Sequence, residues 1–275
     1  MNRRTYIGAG AAVLAGLAGC VGSFTRGEAS ELVEQTFDPG AVSELRVGNA
    51  IGDVTVVGRE TDTVTASVLK RSTDGTRGLA DIDVAIRLDG GVLTVEAGIE
   101  DDARWFTRSS PTTDVTVTVP LGERGPVVRS VASRLGNVDL LDTRGDTRAS
   151  TELGDVTASG VDGYLTLRTE LGDVLASDVT GIDDLHTELG DVKADLLGLR
   201  GDVDVITELG SVAVGVAEDL DLELEARAVS AVSSDLTLAE LRSDGGLLTG
   251  RLNAGGHRLR VASELGDVSL RAIAR

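Results

Sequence analysis

An aspartate recurs along this chain at a spacing that could place several carboxylates side by side. It belongs to the pentapeptide Glu-Leu-Gly-Asp-Val, whose first three copies supply Asp155, Asp173 and Asp191. Carboxylate oxygens are the ligands that Ca²⁺ and Mg²⁺ prefer, so these aspartates are candidate cation ligands. The alternative is that each aspartate caps its own turn while the neighbouring glutamates face solvent.

The copies are spaced regularly. The first three contain Gly154, Gly172 and Gly190, which are 18 residues apart; a fourth, with serine for aspartate, contains Gly210, and an isolated fifth contains Gly266. A fixed period predicts one small unit stacked on itself. Because a helix-containing parallel crossover needs ~30 residues, each unit must consist of strands and turns.

One unit reads as a strand followed by a corner. From Leu165 to Leu171, apolar residues and Thr169 alternate with polar ones, which predicts a strand with one inward face. Gly172 and Asp173 then break the alternation, as a bend requires. We expect stacked units to align inward columns, with threonine hydroxyls bonded to each other or to turn carbonyls. The expected columns are Leu153/Leu171/Leu189/Leu209, Val156/Val174/Val192/Val212, Ala158/Ala176/Ala194/Val214, Leu167/Leu185/Val205 and Thr151/Thr169/Thr187/Thr207.

This pattern predicts an all-β fold, a single-stranded right-handed parallel β-helix with rungs of about 18 residues. About 12 rungs stacked ~4.8 Å apart would make a rod near 60 Å long. A leucine-rich repeat is the rival architecture, but its characteristic leucine and asparagine register is absent from the sequence.

The N-terminus predicts export and a lipid anchor. Arg3 and Arg4 precede a short apolar run, as in a twin-arginine signal, and the run is shorter than the ~20 residues of a membrane span. It ends at Leu-Ala-Gly-Cys20, which looks like a lipobox. We expect 1–19 to be cleaved, Cys20 to carry lipid, and the protein to lie on the extracellular face of the membrane. The alternative is a plain cleaved signal with an incidental cysteine.

The rest of the chain divides by regularity. Residues 20–30 form the lipidated cysteine and a tether, and 31–275 form the solenoid. Within it, 31–130 are irregular strand-rich rungs and 131–275 are regular Gly-Asp-Val rungs, eroded between 217 and 260. The last rung must cap the open core, or another molecule must cover it.

Composition limits the partners. The formal net charge is −19, and Lys70 and Lys193 are the only lysines, which is typical of proteins from extreme halophiles. Such a balance argues against nucleic acid and against electrostatic docking to anionic lipid. A single cysteine excludes an intrachain disulfide.

Few residues outside the repeat suggest chemistry. Trp105 and Phe106 lie beside arginines in a loop-like stretch, either as a plug over the solenoid or as a contact site. His186 and His257 are expected at the surface, and no cofactor is predicted apart from the candidate cations.

An opening strand with the corner Gly52-Asp53-Val54, a middle ending in Val119-Pro120 and then Gly-Asp-Val rungs resembles the putative-adhesin family of β-strand-repeat domains. The resemblance covers roughly 31–273 and implies a right-handed β-helix without catalytic residues. We therefore expect a non-enzymatic surface protein that contacts a polysaccharide or an envelope protein. The alternatives are a carbohydrate-active β-helix enzyme, such as a lyase or glycosidase, and an envelope subunit that assembles end to end.

Overall fold

The computed structural model describes residues 28–99 and 111–274. This part of the chain consists mainly of strands and the turns between them, with short helical turns at Pro39–Ala41, Gly75–Leu79 and Gly122–Arg124. The strands are β1 Ala29–Phe37, β2 Glu44–Ile51, β3 Val54–Arg59, β4 Val64–Ser72, β5 Ile82–Asp89, β6 Val92–Ile99, β7 Thr112–Pro120, β8 Val127–Leu135, β9 Val138–Leu141, β10 Thr147–Leu153, β11 Val156–Ser159, β12 Tyr164–Leu171, β13 Val174–Ser177, β14 Gly181–Leu189, β15 Val192–Leu196, β16 Val203–Leu209, β17 Val212–Ala217, β18 Leu222–Ala228, β19 Val232–Ser234, β20 Ala239–Asp244, β21 Leu247–Leu252, β22 His257–Leu265 and β23 Val268–Ile273.

The strands form two large sheets. Sheet A has 11 strands in the order β1-β4-β7-β3-β9-β11-β13-β15-β17-β23-β19. Sheet B has 12 in the order β20-β21-β18-β22-β16-β14-β12-β10-β8-β2-β6-β5. Each regular rung contributes one strand to each sheet, and neighbouring rungs pair in parallel with the same motif position opposite itself, as in Thr151↔Thr169. The stacked two-strand rungs confirm the expected parallel solenoid architecture.

A narrow aliphatic core lies between the sheets. Alternation sends every second residue inward, so the valine and alanine columns and the Leu167/Leu185/Val205 column are at most 4% exposed, as predicted. Each fully buried valine or leucine side chain contributes about 1.5–3 kcal/mol.

The predicted leucine column faces the wrong way. Leu153, Leu171, Leu189 and Leu209 do stack on one another, but they are 41–44% exposed instead of inward. The threonine is the last inward residue, because the backbone begins to bend at the leucine, so both the glutamate and the leucine that follow the threonine lie outside. The inward position next to the bend belongs to the threonines, of which Thr187 is fully buried.

Stack order differs from chain order at both ends. The first rung, β2 and β3, lies between β6/β7 and β8/β9. The last rung, β22 and β23, lies between β16/β17 and β18/β19. The fifth copy of the motif therefore is not isolated in space, since Leu265 pairs with Leu209 and Val268 with Val212.

Antiparallel strands close both ends of the stack. At one end β4 pairs antiparallel with β1 and β7, and β5 with β6. At the other, β21 pairs antiparallel with β18 and β20. Nine levels contribute parallel strands to both sheets, fewer than the 12 rungs expected, because the remaining strands serve as caps. The cap at the second end covers the core with Leu236, Leu248 and Leu252.

Candidate functional site

The repeated corner between the sheets is the most regular surface feature of the described residues. At Gly172 the backbone has φ +146°, and a side chain there would lie 2.0 Å from the carbonyl oxygen of Gly154. Only glycine fits, because a Cβ cannot approach a backbone oxygen so closely. The glycines thereby set how tightly one corner sits on the next.

The aspartates hold neighbouring corners together. Each Oδ1 accepts a hydrogen bond from the backbone N–H at the equivalent position of the next rung, at 2.7–2.8 Å. Asn137 does the same with its amide oxygen. The bonds run from Asp173 to Asp155, from Asp191 to Asp173, from Ser211 to Asp191, from Asp155 to Asn137 and from Asn137 to Asp53, donor first. The expectation that each aspartate caps its own turn is therefore wrong, since it caps the adjacent rung instead.

Each aspartate of the candidate cation site already accepts a backbone hydrogen bond through one of its carboxylate oxygens. Among the described residues, no group of three or more His, Cys, Asp or Glu side chains is placed to hold a metal ion. Binding of Ca²⁺ or Mg²⁺ by Asp155, Asp173 and Asp191 stays a prediction. The hydrogen bonds of these carboxylates show that they hold neighbouring rungs together.

A column of threonine hydroxyls lies on the inner side of the corner, as predicted. Thr169 Oγ1 donates to the carbonyl oxygen of Gly154 at 2.9 Å, and Thr187 Oγ1 donates to that of Gly172 at the same distance. The equivalent bond, to the carbonyl oxygen of the glycine in the preceding rung, is made by Thr151, Thr207 and Ser263. Each hydroxyl satisfies a carbonyl that the bend would otherwise leave unpaired in the core edge.

Outside the corner, leucines and glutamates form two exposed columns. The leucine column consists of Leu153, Leu171, Leu189, Leu209 and Leu265, which are 41–60% exposed. The glutamate column consists of the residue before each of them, Glu152, Glu170, Glu188, Glu208 and Glu264, all exposed. The corner thus presents an apolar line between glutamates on one side and aspartates on the other.

Carboxylate crowding at this corner reaches sheet A. Burial raises the pKa of Asp139, and the charges of Asp53 and Asp155 raise it further. Asp139 lies opposite Thr157 on the outer face of sheet A, one rung from the aspartate column. Repulsion between these like charges is a cost that the hydrogen bonds of the corner offset.

The family can be assigned once this architecture is established. The sequence profile of the Toastrack DUF4097 family matches residues 42–271. The chain belongs to this family. The match agrees with the β-strand-repeat resemblance found in the sequence, and it spans both the irregular first rungs and the regular ones of the Toastrack stack. No functionally curated protein matches the sequence.

Solved structures resemble the Toastrack chain at low identity. A protein described as a putative adhesin from Bacteroides fragilis is 14% identical with a TM-score of 0.42, over 88% of this chain and 97% of that one. A putative cell adhesion protein from Clostridium sporogenes is 8% identical with a TM-score of 0.40, over 89% and 100%. A putative lipid binding protein from Parabacteroides distasonis is 11% identical with a TM-score of 0.34, over 88% and 96%.

Several sequence-predicted sites fall outside the described residues of the Toastrack chain. They are Arg3 and Arg4 of the export signal, the lipidation site Cys20, and Trp105 with Phe106. Within the described ranges, no helix has the length and hydropathy to cross a membrane. His186 lies half-buried between Arg168 and Ile206 on the outside of sheet B, as predicted. His257 is the exposed first residue of β22 and not part of a turn.

A polar cluster near the beginning of the sheet B strands of the Toastrack stack was missed by sequence reasoning. The Arg200 guanidinium lies 4.2 Å from the ring centre of Tyr164 and donates to Asp146 at 2.6 Å and to Asp183. The hydrogen bond from Arg200 lowers the pKa of Asp146, and the two aspartates raise the pKa of Arg200. The available signal was Tyr164 itself, a rare aromatic directly after a glycine of the repeat.

One open depression of about 220 Å³ lies on the outer face of sheet A, between Lys193 and the Asp195–Arg271 ion pair. Leu175 and Ala213 form part of its lining. Its open shape suits shallow contact better than enclosure of a substrate.

Proposed function

We propose that this protein is a non-enzymatic, lipid-anchored β-solenoid on the extracellular face of the cell membrane, which serves adhesion or envelope structure. The observation that carries the proposal is a rigid stack with both ends closed and long flat sides. With 12 strands at ~4.8 Å, sheet B extends about 50 Å. Right-handed winding in rungs of about 18 residues is part of the proposal. Such a body presents extended surface to a partner.

The position of β1 supports attachment by one end. This strand is the outermost strand of sheet A, and it begins at Ala29. The eight residues between Cys20 and Ala29 span at most about 30 Å. A lipid on Cys20 would therefore keep the β1 end near the membrane and hold the β20 end away from it, where it can meet a polysaccharide or another envelope protein.

The end-to-end alternative has less support from the geometry. β20 is an edge strand whose residues are all exposed, which could template pairing with another chain. However, the pairing of β20 with β21 shifts register between Ala239 and Arg242, and Glu240 has φ +54°. Such a kink, with charged residues along the strand, is how proteins block edge-to-edge association.

The anchor is tested by Cys20→Ser. We expect the variant to be released into the medium or to stay unprocessed, because no acyl group can be added to serine. The measurement is the partition of the protein between membrane and medium together with its mass, and Ser23→Ala is the matched control in the tether. Membrane retention of a normally cut Cys20→Ser protein would contradict lipidation.

The non-enzymatic part is tested separately. Purified protein is incubated with surface polysaccharide, and chain length and reducing ends are followed at molar salt. We expect no change. Cleavage that is lost when one exposed acid such as Glu170 or Glu188 is neutralised would favour the carbohydrate-active alternative.

A further inference from the structure

The leucine column is an unusual surface for this protein. Leucines of the inward columns, such as Leu167 and Leu185, are fully buried, whereas the five leucines of the leucine column are 41–60% exposed. Strand pairing places them directly next to each other, from Leu153 to Leu171 and onward to Leu209 and Leu265. Together they expose a few hundred Å² of continuous apolar surface, a size at which the largest patch of a monomer is often functional.

The carboxylates beside this line form no ion pair with a basic side chain in the part of the chain that the structure describes. None of the five glutamates of the glutamate column forms an ion pair with a basic side chain of the described residues, although other acids do, as in Arg168–Asp184 and Arg71–Asp114. The aspartates on the other side use their Oδ1 atoms for backbone amides. An apolar line between two rows of negative charge complements a partner that is apolar in the middle and positive on both sides.

Spacing distinguishes between kinds of partner. Successive rungs lie ~4.8 Å apart, so the leucines repeat at that interval. Same-face residues of an extended strand repeat at about 6.6–6.8 Å, whereas an α-helix advances ~5.4 Å per turn and presents about one apolar residue per turn. A helix therefore keeps register with the column far better than a strand does, and about 13 helical residues at 1.5 Å each span the four intervals of the column.

We propose that the leucine column and its flanking carboxylates are a docking surface for a basic amphipathic helix of a partner protein. Leucine-type side chains of the helix pack on the column, and lysines or arginines on either side face the glutamates and aspartates. A second copy of this chain fits less well, because two columns brought together would oppose four rows of carboxylates. The inference extends the proposed surface role. It rests on that role only for the place where the partner is encountered, the outside of the cell.

The test uses the purified full chain in detergent and a synthetic peptide of 18 residues with leucines along one face and lysines beside them. Two control peptides have the same composition in scrambled order and the same pattern with glutamate for lysine. Binding is measured by fluorescence anisotropy at low and at molar salt. We expect the designed peptide to bind at least about tenfold more tightly than either control at low salt.

Variants locate the site. We expect Leu171→Gln with Leu189→Gln to weaken peptide binding by about tenfold, because both lie at the centre of the column. Glu170→Gln with Glu188→Gln should weaken it by about threefold and flatten its salt dependence. The matched controls are Leu175→Gln, an equally exposed leucine on sheet A, and Glu223→Gln on β18, each with less than about twofold effect.

Three results would overturn the inference. They are equal binding of the scrambled or acidic peptide, binding that the column variants leave unchanged while circular dichroism shows them folded, and a column-dependent dimer in sedimentation, which would make a second copy the occupant. Because binding is measured on purified protein, membrane retention of a normally cut Cys20→Ser protein in cells would contradict the proposed lipid anchor without affecting this result.

Discussion

The middle of the stack and its two ends differ in how their strands pair and in how they cover the core. From β8 to β17 each rung repeats the same columns, and neighbouring corners bond through glycine, aspartate and threonine in identical ways. At the ends the motif is lost, strands turn antiparallel, and single leucines such as Leu252 cover the core. The repeat thus specifies how one rung stacks on the next, and departures from it specify where stacking stops.

The largest expected loss of stability comes from substituting a corner glycine in the middle of the stack. Gly172→Ala places a Cβ 2.0 Å from the Gly154 carbonyl oxygen at φ +146°, so we expect the free energy of unfolding to fall by about 3 kcal/mol or more. Gly48→Ala in β2 is the control, because a Cβ there meets nothing within 4 Å. It should change stability by no more than about 1 kcal/mol. Guanidinium unfolding measures both, and similar losses would show that the corner is not tightly packed.

Core truncation compares the two regions directly. Leu185→Ala in the middle should cost about 2–5 kcal/mol, because a fully buried side chain leaves a cavity. Leu252→Ala in the cap should cost less, since the cap can relax toward solvent. Amide hydrogen exchange separates them further, because we expect the cap variant to speed exchange only around β18 and β21. Global acceleration by the cap variant would mean that closure governs the whole stack.

The aspartate column gives a smaller, more diagnostic effect. Asp173→Asn should be nearly neutral, because Asn137 already makes the same bond in this column, whereas Asp173→Ala should cost about 1 kcal/mol through the lost bond to Asp191. Thermal unfolding of the pair checks this. If Asn and Ala prove equally destabilising, the negative charge matters more than the hydrogen bond, and cation binding becomes the better explanation.

The smallest expected effect depends on pH. Asp146 has a lowered pKa, so its stabilisation is present above the ordinary value of 3.8 and is lost as pH falls through the folded value. Arg200→Met should remove this contribution, which is under about 1 kcal/mol because the pair is exposed. Asp139 has a raised pKa, so its ionisation opposes folding and Asp139→Asn should stabilise slightly at neutral pH. Unfolding from pH 6 to pH 2.5 should show the two opposite signs.

Much of the middle could be predicted from sequence because its order is local. Period-two alternation identifies Val174 and Ala176 as inward, and Gly172 identifies the corner. The alternation could not show that Leu171 faces out, because the bend begins one residue before glycine. Nor could it show that Asp173 receives its bond from Asp191, since that partner lies in the next rung.

The ends were less predictable because their pairing is not local. Residues 218–256 look like an eroded continuation of the repeat, yet they form the level and the cap beyond β22 and β23. Nothing in the sequence near Gly266 indicates that its rung enters beside Gly210. The Arg200–Tyr164–Asp146 cluster likewise joins residues from three different rungs.

Insertion of the last rung has a consequence for how the chain matures. Because β22 and β23 occupy the place between β16/β17 and β18/β19, strands made earlier must wait for residues 257–273 to leave the ribosome before they can settle. A prematurely terminated product would keep the edges of Val203–Leu209 and Val212–Ala217 open to wrong partners. The native topology can therefore be reached only after β22 and β23 have been synthesised.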